Sequence, residues 1–236
     1  MTIASDQAEI TIHDLTVGYT REPVLHGLST ALPRGRTTAI LGPNGSGKST
    51  LLSAIAGVLR LAAGSIDRAT GRPPAFVAQR SAVSDALPIS VRDTVSMGRW
   101  AHRGPWRRLT SHDRAVVEEC LACLELLPLA TRRLGSLSGG QRQRALLAQG
   151  LAQESDLLLL DEPSSGLDAE AQRLITDVLE STKARGTTVV QVTHDFTEAL
   201  RADHCLVLNA GRLAAAGTPD DVLTPQMLQE VWGIPR

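Results

Sequence analysis

A glycine-rich segment of nine residues constrains this chain more than any other feature. Residues 42–50 read GPNGSGKST, and they follow Thr37–Leu41, a short apolar and β-branched run that favours a strand. Ser49–Leu59 then has the apolar spacing of a helix. The pattern G-x-x-x-x-G-K-[ST] between a strand and a helix is typical of a loop that binds phosphate. The segment therefore predicts an α/β domain that holds a nucleotide at the end of a strand.

The chemistry of phosphate binding accounts for the residue types in this loop. Glycines let backbone N–H groups converge on phosphate oxygens, and the start of the helix adds partial positive charge. Lys48 can reach the β- and γ-phosphates, and it is one of only two lysines among 24 basic residues. Ser49 can offer a hydroxyl to Mg²⁺. Kinases, GTPases and motor ATPases share this loop, so the loop alone does not select a family.

Polar residues end two further strand-like runs. LLLL leads into Asp161 and Glu162, and TTVVQVT leads into His194. Ligands of open α/β sheets lie at the carboxyl ends of the strands, so these side chains are expected beside the phosphate loop. An aspartate there can hold Mg²⁺, and the next carboxylate can polarise an attacking water. Gln79 also follows an apolar run, AFVA, but taken alone it is a surface glutamine.

The remaining pattern predicts one α/β core with a helical insert. EITIHDLTVGY alternates like a half-buried strand, and residues 188–193 and 205–208 suit buried strands. Residues 91–153 have helical periodicity and no convincing strand. Within them, Thr110 and Asp113 form a capping box that predicts a helix through Leu127. The two ends of the chain therefore share one core.

Composition limits the classes of function. With 42% hydrophobic and 21% charged residues among 236, the chain is typical of a globular protein. A net charge of −1 argues against a nucleic-acid-binding protein. No stretch approaches the roughly 18 apolar residues of a membrane span, and the first residues do not resemble a signal peptide. We therefore expect a cytoplasmic protein whose membrane role, if any, comes through a partner.

Residues 137–141 read LSGGQ, open a helix and precede Asp161 by about twenty residues. They resemble the signature motif of ABC transporter ATPases. The ordered set of motifs also resembles that family, over nearly the whole chain: Tyr19, GPNGSGKST, Gln79, LSGGQ, LLLLDE, SSGLD at 164–168 and His194. The resemblance implies an ABC ATPase fold, with a RecA-like P-loop NTPase core, an N-terminal antiparallel β-subdomain and a helical insert. It implies a single domain over 1–236, with the core at about 1–88 and 150–236 and the helical subdomain at about 89–149.

The resemblance implies ATP and Mg²⁺ as cofactors and gives each motif a role. Glu162, His194 and Lys48 would be catalytic, and Tyr19 would stack on adenine. Ser49, Gln79 and Asp161 would organise Mg²⁺. The other residues implied to contact nucleotide are Gly42, Pro43, Asn44, Gly45, Ser46, Gly47, Thr50, Ser138, Gly139, Gly140, Gln141 and Asp168. The signature motif acts on the nucleotide of the facing subunit, so each site would need two chains.

The implied partners are a second copy of this chain in a homodimer, integral-membrane permease subunits and, indirectly, a substrate-binding protein. The chain would lie on the inner face of the cell membrane. The segment after Gln79 is similar to that of zinc and manganese importers, with V-x-D-x-V-x-M-G-R at 91–99, although Ala78 stands where that group usually has proline. This similarity predicts metal import. An ABC-type scaffold ATPase of iron–sulfur assembly, or a subunit for export of lipid or lipoprotein, remain as alternatives.

Two further features stay open at the level of sequence. Residues 99–108 combine four arginines with Trp100 and Trp106, which fits either a surface at lipid headgroups or the permease, or a solvated loop. The family resemblance implies that the groove around residues 79–99 receives a helix of the permease. Cys120 and Cys123 fall on an apolar helical stripe with Val116 and Leu127, so they are predicted to be core residues and not a zinc site.

Overall fold

The computed structural model describes residues 7–19, 22–78 and 88–233. Near the N-terminus, three strands form an antiparallel sheet in the order β2-β1-β4: β1 Ala8–Val17, β2 Leu25–Pro33 and β4 Ala63–Arg68. The predicted alternation of β1 is confirmed, with Ile10 and Ile12 buried on one face. An irregularity follows at Asp14, whose φ is 44°, and the strand then buries Leu15 and Val17.

The second sheet has six strands: β3 Thr37–Leu41, β5 Ala75–Val77, β6 Leu157–Asp161, β7 Thr188–Val192, β8 His204–Asn209 and β9 Arg212–Gly217. Their order is β5-β6-β7-β3-β8-β9, and the first five strands in this order are parallel. The apolar runs predicted as buried strands are thus confirmed. In β6, Leu157 and Leu159 pack on one face while Leu158 and Leu160 pack on the other. Both faces are covered, which explains why the run is continuously apolar.

Helices cover both faces of this sheet. They are α1 Lys48–Ile55, α2 Val91–Met97, α3 Trp100–Arg103, α4 Ser111–Cys123, α5 Gly139–Leu151, α6 Ala169–Ala184, α7 Phe196–Arg201, α8 Pro219–Val222 and α9 Pro225–Trp232, with 3₁₀ turns at Leu127–Leu129 and Leu134–Ser136. The three-stranded sheet and α1 pack on one face, and α2, α4, α5 and α6 pack on the other. Whether residues 89–149 form a separate subdomain stays a prediction. None of the helices in the described ranges has the length and hydropathy to cross a bilayer.

The predicted extent of α1 was wrong at its C-terminal end. The helix stops at Ile55 and does not reach Leu59. Gly57 adopts a left-handed φ of 76°, and the N–H of Val58 donates to the carbonyl of Ser53, which closes the helix as in a Schellman motif. Leu59 lies in the loop after the helix, where its side chain still packs against the hydrophobic core. This contact explains why an apolar residue occurs at that position.

The predicted capping box at Thr110 and Asp113 is confirmed and opens α4. The helix ends at Cys123, however, and Leu127 belongs to a separate 3₁₀ turn. Cys120 is buried as predicted, whereas the core prediction was wrong for Cys123, which is exposed, and for Leu127, which is 46% exposed. The helical stripe cannot continue past Cys123 because the chain turns at Glu125, where φ is 55°.

Strand order brings three loops to one edge. β3 lies directly beside β7, and β7 lies directly beside β6, all parallel. Their carboxyl ends therefore meet at the same edge of the sheet. The phosphate loop follows β3, the Asp161–Glu162 pair ends β6, and His194 follows β7. This is the edge at which ligands of open α/β sheets bind.

Candidate functional site

The phosphate loop wraps around the first residue of α1. Lys48 is only 8% exposed, and its Nζ donates to the carbonyls of Gly42 at 2.8 Å and Pro43 at 2.9 Å. A Cβ on Gly42 would lie 2.2 Å from the carbonyl oxygen of Leu208, so only glycine fits there. Gly47 precedes the helix with a φ of 99°. The tight loop thus holds the ammonium at the helix start.

Ser46 gives the loop a second anion-binding feature. Its Oγ is buried and has no hydrogen-bond partner within the described part of the chain. Such buried polar atoms are costly unless a ligand or water satisfies them. With Lys48 beside it and a helix N-terminus behind it, a phosphate oxygen is the chemical group that this pocket fits best.

The hydroxyl of Ser49, the residue after Lys48, contacts the carboxylate of Asp161. The Oγ of Ser49 donates to Oδ1 of Asp161 at 3.2 Å. Burial raises the pKa of Asp161, and Glu162 raises it further, whereas Ser49 and Lys48 lower it. Burial also lowers the pKa of Lys48, against the opposing effect of the two carboxylates. A cation at these oxygens would relieve the crowding of negative charge.

The donor set suits Mg²⁺ better than a transition metal. Within residues 7–19, 22–78 and 88–233, no group of three or more His, Cys, Asp or Glu side chains could hold a metal ion. Mg²⁺ needs only one or two protein oxygens, since it keeps waters and binds substrate phosphates. Ser49 and Asp161 supply such oxygens. Gln79, the third predicted ligand, lies outside the described residues.

Glu162 and His194 sit together beyond Asp161. His194 Nδ1 lies 3.8 Å from Oε1 of Glu162, and the imidazole is exposed. Glu162 has a φ of 51°, which is uncommon for a residue with a side chain, and its N–H donates to the carbonyl of Val192 at 3.1 Å. Both side chains line a polar cavity of about 60 Å³ that has room for water. The geometry places a carboxylate, an imidazole and solvent in one place.

Sequence reasoning missed the hydrogen bonds that order the turn carrying His194. Thr193 is buried, and its Oγ1 donates to Oε2 of Glu198 at 2.6 Å, while it accepts from the N–H of Asp195 at 3.0 Å. These bonds fix the turn that carries His194. The available signal was the pair Thr193 and Glu198 on either side of the histidine, at the start of α7.

The signature motif forms the N-terminus of α5. Ser138 caps the helix, and it exchanges two hydrogen bonds with Gln141 in a capping box, at 3.1 and 3.3 Å. A Cβ on Gly140 would lie 3.3 Å from Leu167, so the motif adjoins the SSGLD turn. Asp168 in that turn caps α6 and accepts from the N–H of Ala171 at 2.8 Å. The helix start is thereby ordered, and Ser138 is exposed.

Tyr19 lies two residues after β1 and is 63% exposed. An exposed ring at this place is free to take a planar ligand.

The contacts described above join Lys48, Ser49, Asp161, Glu162 and His194 into one continuous site. Tyr19 and the signature motif lie outside that set.

Comparison with known proteins identifies the family. The ABC transporter family matches residues 25–165. The zinc transport system ATP-binding protein TroB of Treponema pallidum is 38% identical over 98% of this chain and 89% of its own length. The manganese transport system ATP-binding protein MntB of Halalkalibacterium halodurans is 36% identical over 94% of this chain and 91% of its own. A solved metal-chelate type ABC transporter in an inward-facing conformation shares 35% identity with a TM-score of 0.86, covering 97% of this chain and 90% of that one.

These matches confirm the predicted ABC ATPase fold and the resemblance drawn from the seven motifs. ABC ATPase subunits bind ATP, dimerise and act together with membrane permeases. Since the matched region spans 25–165 and the relatives align over nearly the full chain, the chain belongs to the ABC transporter family and is one of its ATPase subunits.

Proposed function

We propose that this chain hydrolyses ATP with Mg²⁺ in a head-to-tail homodimer and thereby drives import of zinc or manganese through a separate permease. The chemistry rests on one observation, the continuous site that runs from Lys48 through Asp161 to Glu162 and His194. The cargo rests on the similarity to relatives that are named for zinc and manganese transport.

The phosphate loop binds the triphosphate of ATP. Backbone N–H groups of residues 44–50 converge on phosphate oxygens, and Ser46 contributes its buried hydroxyl. Lys48 exchanges its contacts with the loop carbonyls for the β- and γ-phosphates. Its ammonium then offsets the charge that develops on the transferred phosphoryl group.

Ser49, Asp161 and Gln79 hold Mg²⁺ in this proposal. The ion would supply positive charge that offsets the negative charge of the phosphate groups. Asp161 stays ionised more readily with a cation beside it, because burial otherwise raises its pKa.

Glu162 accepts the proton of the attacking water. Its carboxylate borders the polar cavity at the sheet edge, and His194 lies beside it and contacts the γ-phosphate. The turn around Thr193 and Glu198 keeps the imidazole in place. Proton transfer to a positioned carboxylate typically contributes about 10²–10⁴-fold to a rate.

A second copy of the chain completes each site. Ser138, Gly139, Gly140 and Gln141 present the N-terminus of α5 to the γ-phosphate bound by the facing subunit. Tyr19 stacks on the adenine, and Asp168 holds the turn beside the signature motif. The dimer lies on the inner, cytoplasmic face of the membrane, bound to the permease, and a separate binding protein delivers the metal.

Uptake of labelled ions tests this proposal. Cells with and without this chain are compared for uptake of isotopic Zn²⁺, Mn²⁺ and a chelated Fe³⁺, since one solved relative is of the metal-chelate type. Loss of Zn²⁺ or Mn²⁺ uptake on deletion, restored by the wild-type chain and not by Glu162→Gln, is expected. Loss confined to the iron chelate would reassign the cargo, and unchanged uptake of all three would reject metal import.

A further inference from the structure

A basic and aromatic projection lies between α3 and α4. We call residues 104–108, GPWRR, the arginine–tryptophan tip. Trp106 is 95% exposed, and Arg107 and Arg108 are exposed and make no ion pair within the described ranges. No acidic residue occurs between Asp93 and Asp113 in the sequence. The tip therefore offers an exposed indole followed by two guanidinium groups that form no ion pair in the described part of the chain.

The base of this tip is held firmly. Arg99, expected on the surface with the other arginines, is instead 3% exposed. Its guanidinium donates to Asp113 at 3.0 Å, and to the carbonyl of Ala152 and to Glu154, each at 2.7 Å. Arg103 pairs with the other oxygen of Asp113 at 2.7 Å. These contacts tie the base to the start of α4 and the end of α5, so the tip projects from a fixed support.

We propose that the arginine–tryptophan tip docks on anionic lipid headgroups. Indole rings favour the headgroup level of a bilayer, and guanidinium groups bind phosphate in two-point contacts. A protein partner would seat an aromatic anchor in a complementary pocket. A lipid surface needs no such pocket and matches the one-signed charge of the tip. Contact within the assembled transporter rests on the function proposed above, whereas the affinity of the tip for lipid does not.

The expected affinity is modest. Each basic residue near an anionic membrane strengthens binding about 5.4-fold, so Arg107 and Arg108 together contribute about 30-fold. Such an attachment is too weak to hold a protein on a membrane by itself. Next to a permease contact, it acts as a second attachment at high effective concentration and restrains the subunit at the bilayer.

Vesicle sedimentation of the full chain tests the proposal. Vesicles of phosphatidylcholine are compared with vesicles that also contain phosphatidylglycerol, at low and high salt. We expect binding only to the anionic vesicles, with loss at high salt. Arg107→Gln/Arg108→Gln should weaken binding about 30-fold. The matched control, Arg68→Gln/Arg72→Gln, removes the same charge from an exposed segment elsewhere and should leave binding unchanged.

Tryptophan emission gives a second readout. A blue shift on anionic vesicles is expected for the wild type, and Trp106→Ala should abolish it although Trp100 and Trp232 remain. Wild-type binding by the arginine pair variant, or an unchanged shift in Trp106→Ala, would overturn the proposal. A tip variant that binds vesicles normally but has lost affinity for the detergent-solubilised permease would also overturn the proposal, because it would assign the tip to a protein partner. Neither measurement needs ATP or metal, so its failure would not bear on transport.

Discussion

At the scale of single residues, Lys48 is the cation on which nucleotide binding is expected to depend most. It sits at the start of α1 with its ammonium held by two loop carbonyls, next to the buried hydroxyl of Ser46. Lys48→Ala removes a charged contact to phosphate and should weaken ATP binding at least about tenfold. Equilibrium binding of a fluorescent ATP analogue measures this change. The control is Lys183→Ala, because the only other lysine pairs with Glu180 and Asp203.

Glu162 should separate binding from hydrolysis. Glu162→Gln keeps the size of the side chain but cannot accept a proton from water. We expect ATP binding to persist while turnover falls at least about 100-fold, with an ATP-bound dimer accumulating. Phosphate release measures turnover, and size-exclusion chromatography detects the ATP-bound dimer. Glu170→Gln changes an exposed carboxylate in the first turn of α6 and serves as the control. Near-normal turnover by Glu162→Gln would remove Glu162 from its proposed role.

Residue types could be predicted from sequence where local chemistry decides them. The loop around Lys48 and the acids after β6 were found in this way, because a phosphate site needs those residues at that spacing. Contacts between residues that are distant in sequence could not be predicted in this way. Arg99 looked like part of an exposed basic segment, yet it is buried, and its carboxylate partners Asp113 and Glu154 lie 14 and 55 positions away. The hydrogen bond between Thr193 and Glu198 spans only five positions, but it depends on how α7 turns back after β7, which the residue pattern does not specify.

At the scale of elements, Asp113 joins three parts of the helical region. It caps α4 and pairs with Arg99 and Arg103 while its own side chain is buried. Asp113→Asn would remove the buried carboxylate from Arg99, whose remaining ion pair is with the exposed Glu154, and should cost about 3 kcal/mol of stability. Thermal unfolding followed by circular dichroism measures the loss. Asp177→Asn, at an exposed position of α6, should change stability by less than about 0.5 kcal/mol.

The same carboxylate gives the helical region a dependence on pH. Hydrogen bonds from the Thr110 hydroxyl and N–H, and then the guanidinium of Arg99, hold the pKa of Asp113 far below its usual range. Its contribution is therefore fully present above the unfolded pKa of about 4 and is lost as pH falls below that value. We expect the wild type to lose stability between about pH 4 and pH 2 more steeply than Asp113→Asn. Parallel curves for the two proteins would contradict this assignment.

The local sequence pattern predicted the bounds of some strands and helices better than those of others. β3 and β6 were predicted to the residue, because strands buried on both faces are continuous apolar runs bounded by polar turns. Helix ends were predicted less well. α1 stopped four residues early at Gly57, and α4 stopped before Leu127, since left-handed turns end both helices while the apolar pattern continues into the following loops.

At the scale of the whole molecule, the proposed site is divided between two chains. The phosphate loop and the acids of β6 share one sheet edge, whereas the signature motif begins α5 with its helix N-terminus open to an outside anion. A single chain thus carries one half of each of two sites. Hydrolysis by a monomer should be poor for this reason, and the dimer is the unit of function under our proposal.

Complementation between two inactive variants tests this arrangement. Lys48→Ala disables the phosphate loop, and Gly140→Asp places a carboxylate where the γ-phosphate of the partner would bind. The second change should not harm folding, since an acid in the first turn favours the helix and the nearest neighbour of the new Cβ is the end of the Leu167 side chain at 3.3 Å. Each variant alone should be inactive when assembled with its permease.

An equimolar mixture should recover activity that neither variant has alone. In a mixed dimer, one site contains both defects and the other contains an intact loop from one chain and an intact signature motif from the other. About half of the dimers are mixed, so about a quarter of all sites are intact. Phosphate release from the mixed complex should therefore reach roughly a quarter of the wild-type rate if the sites act independently. A mixture as inactive as its parents would mean that each chain uses its own signature motif.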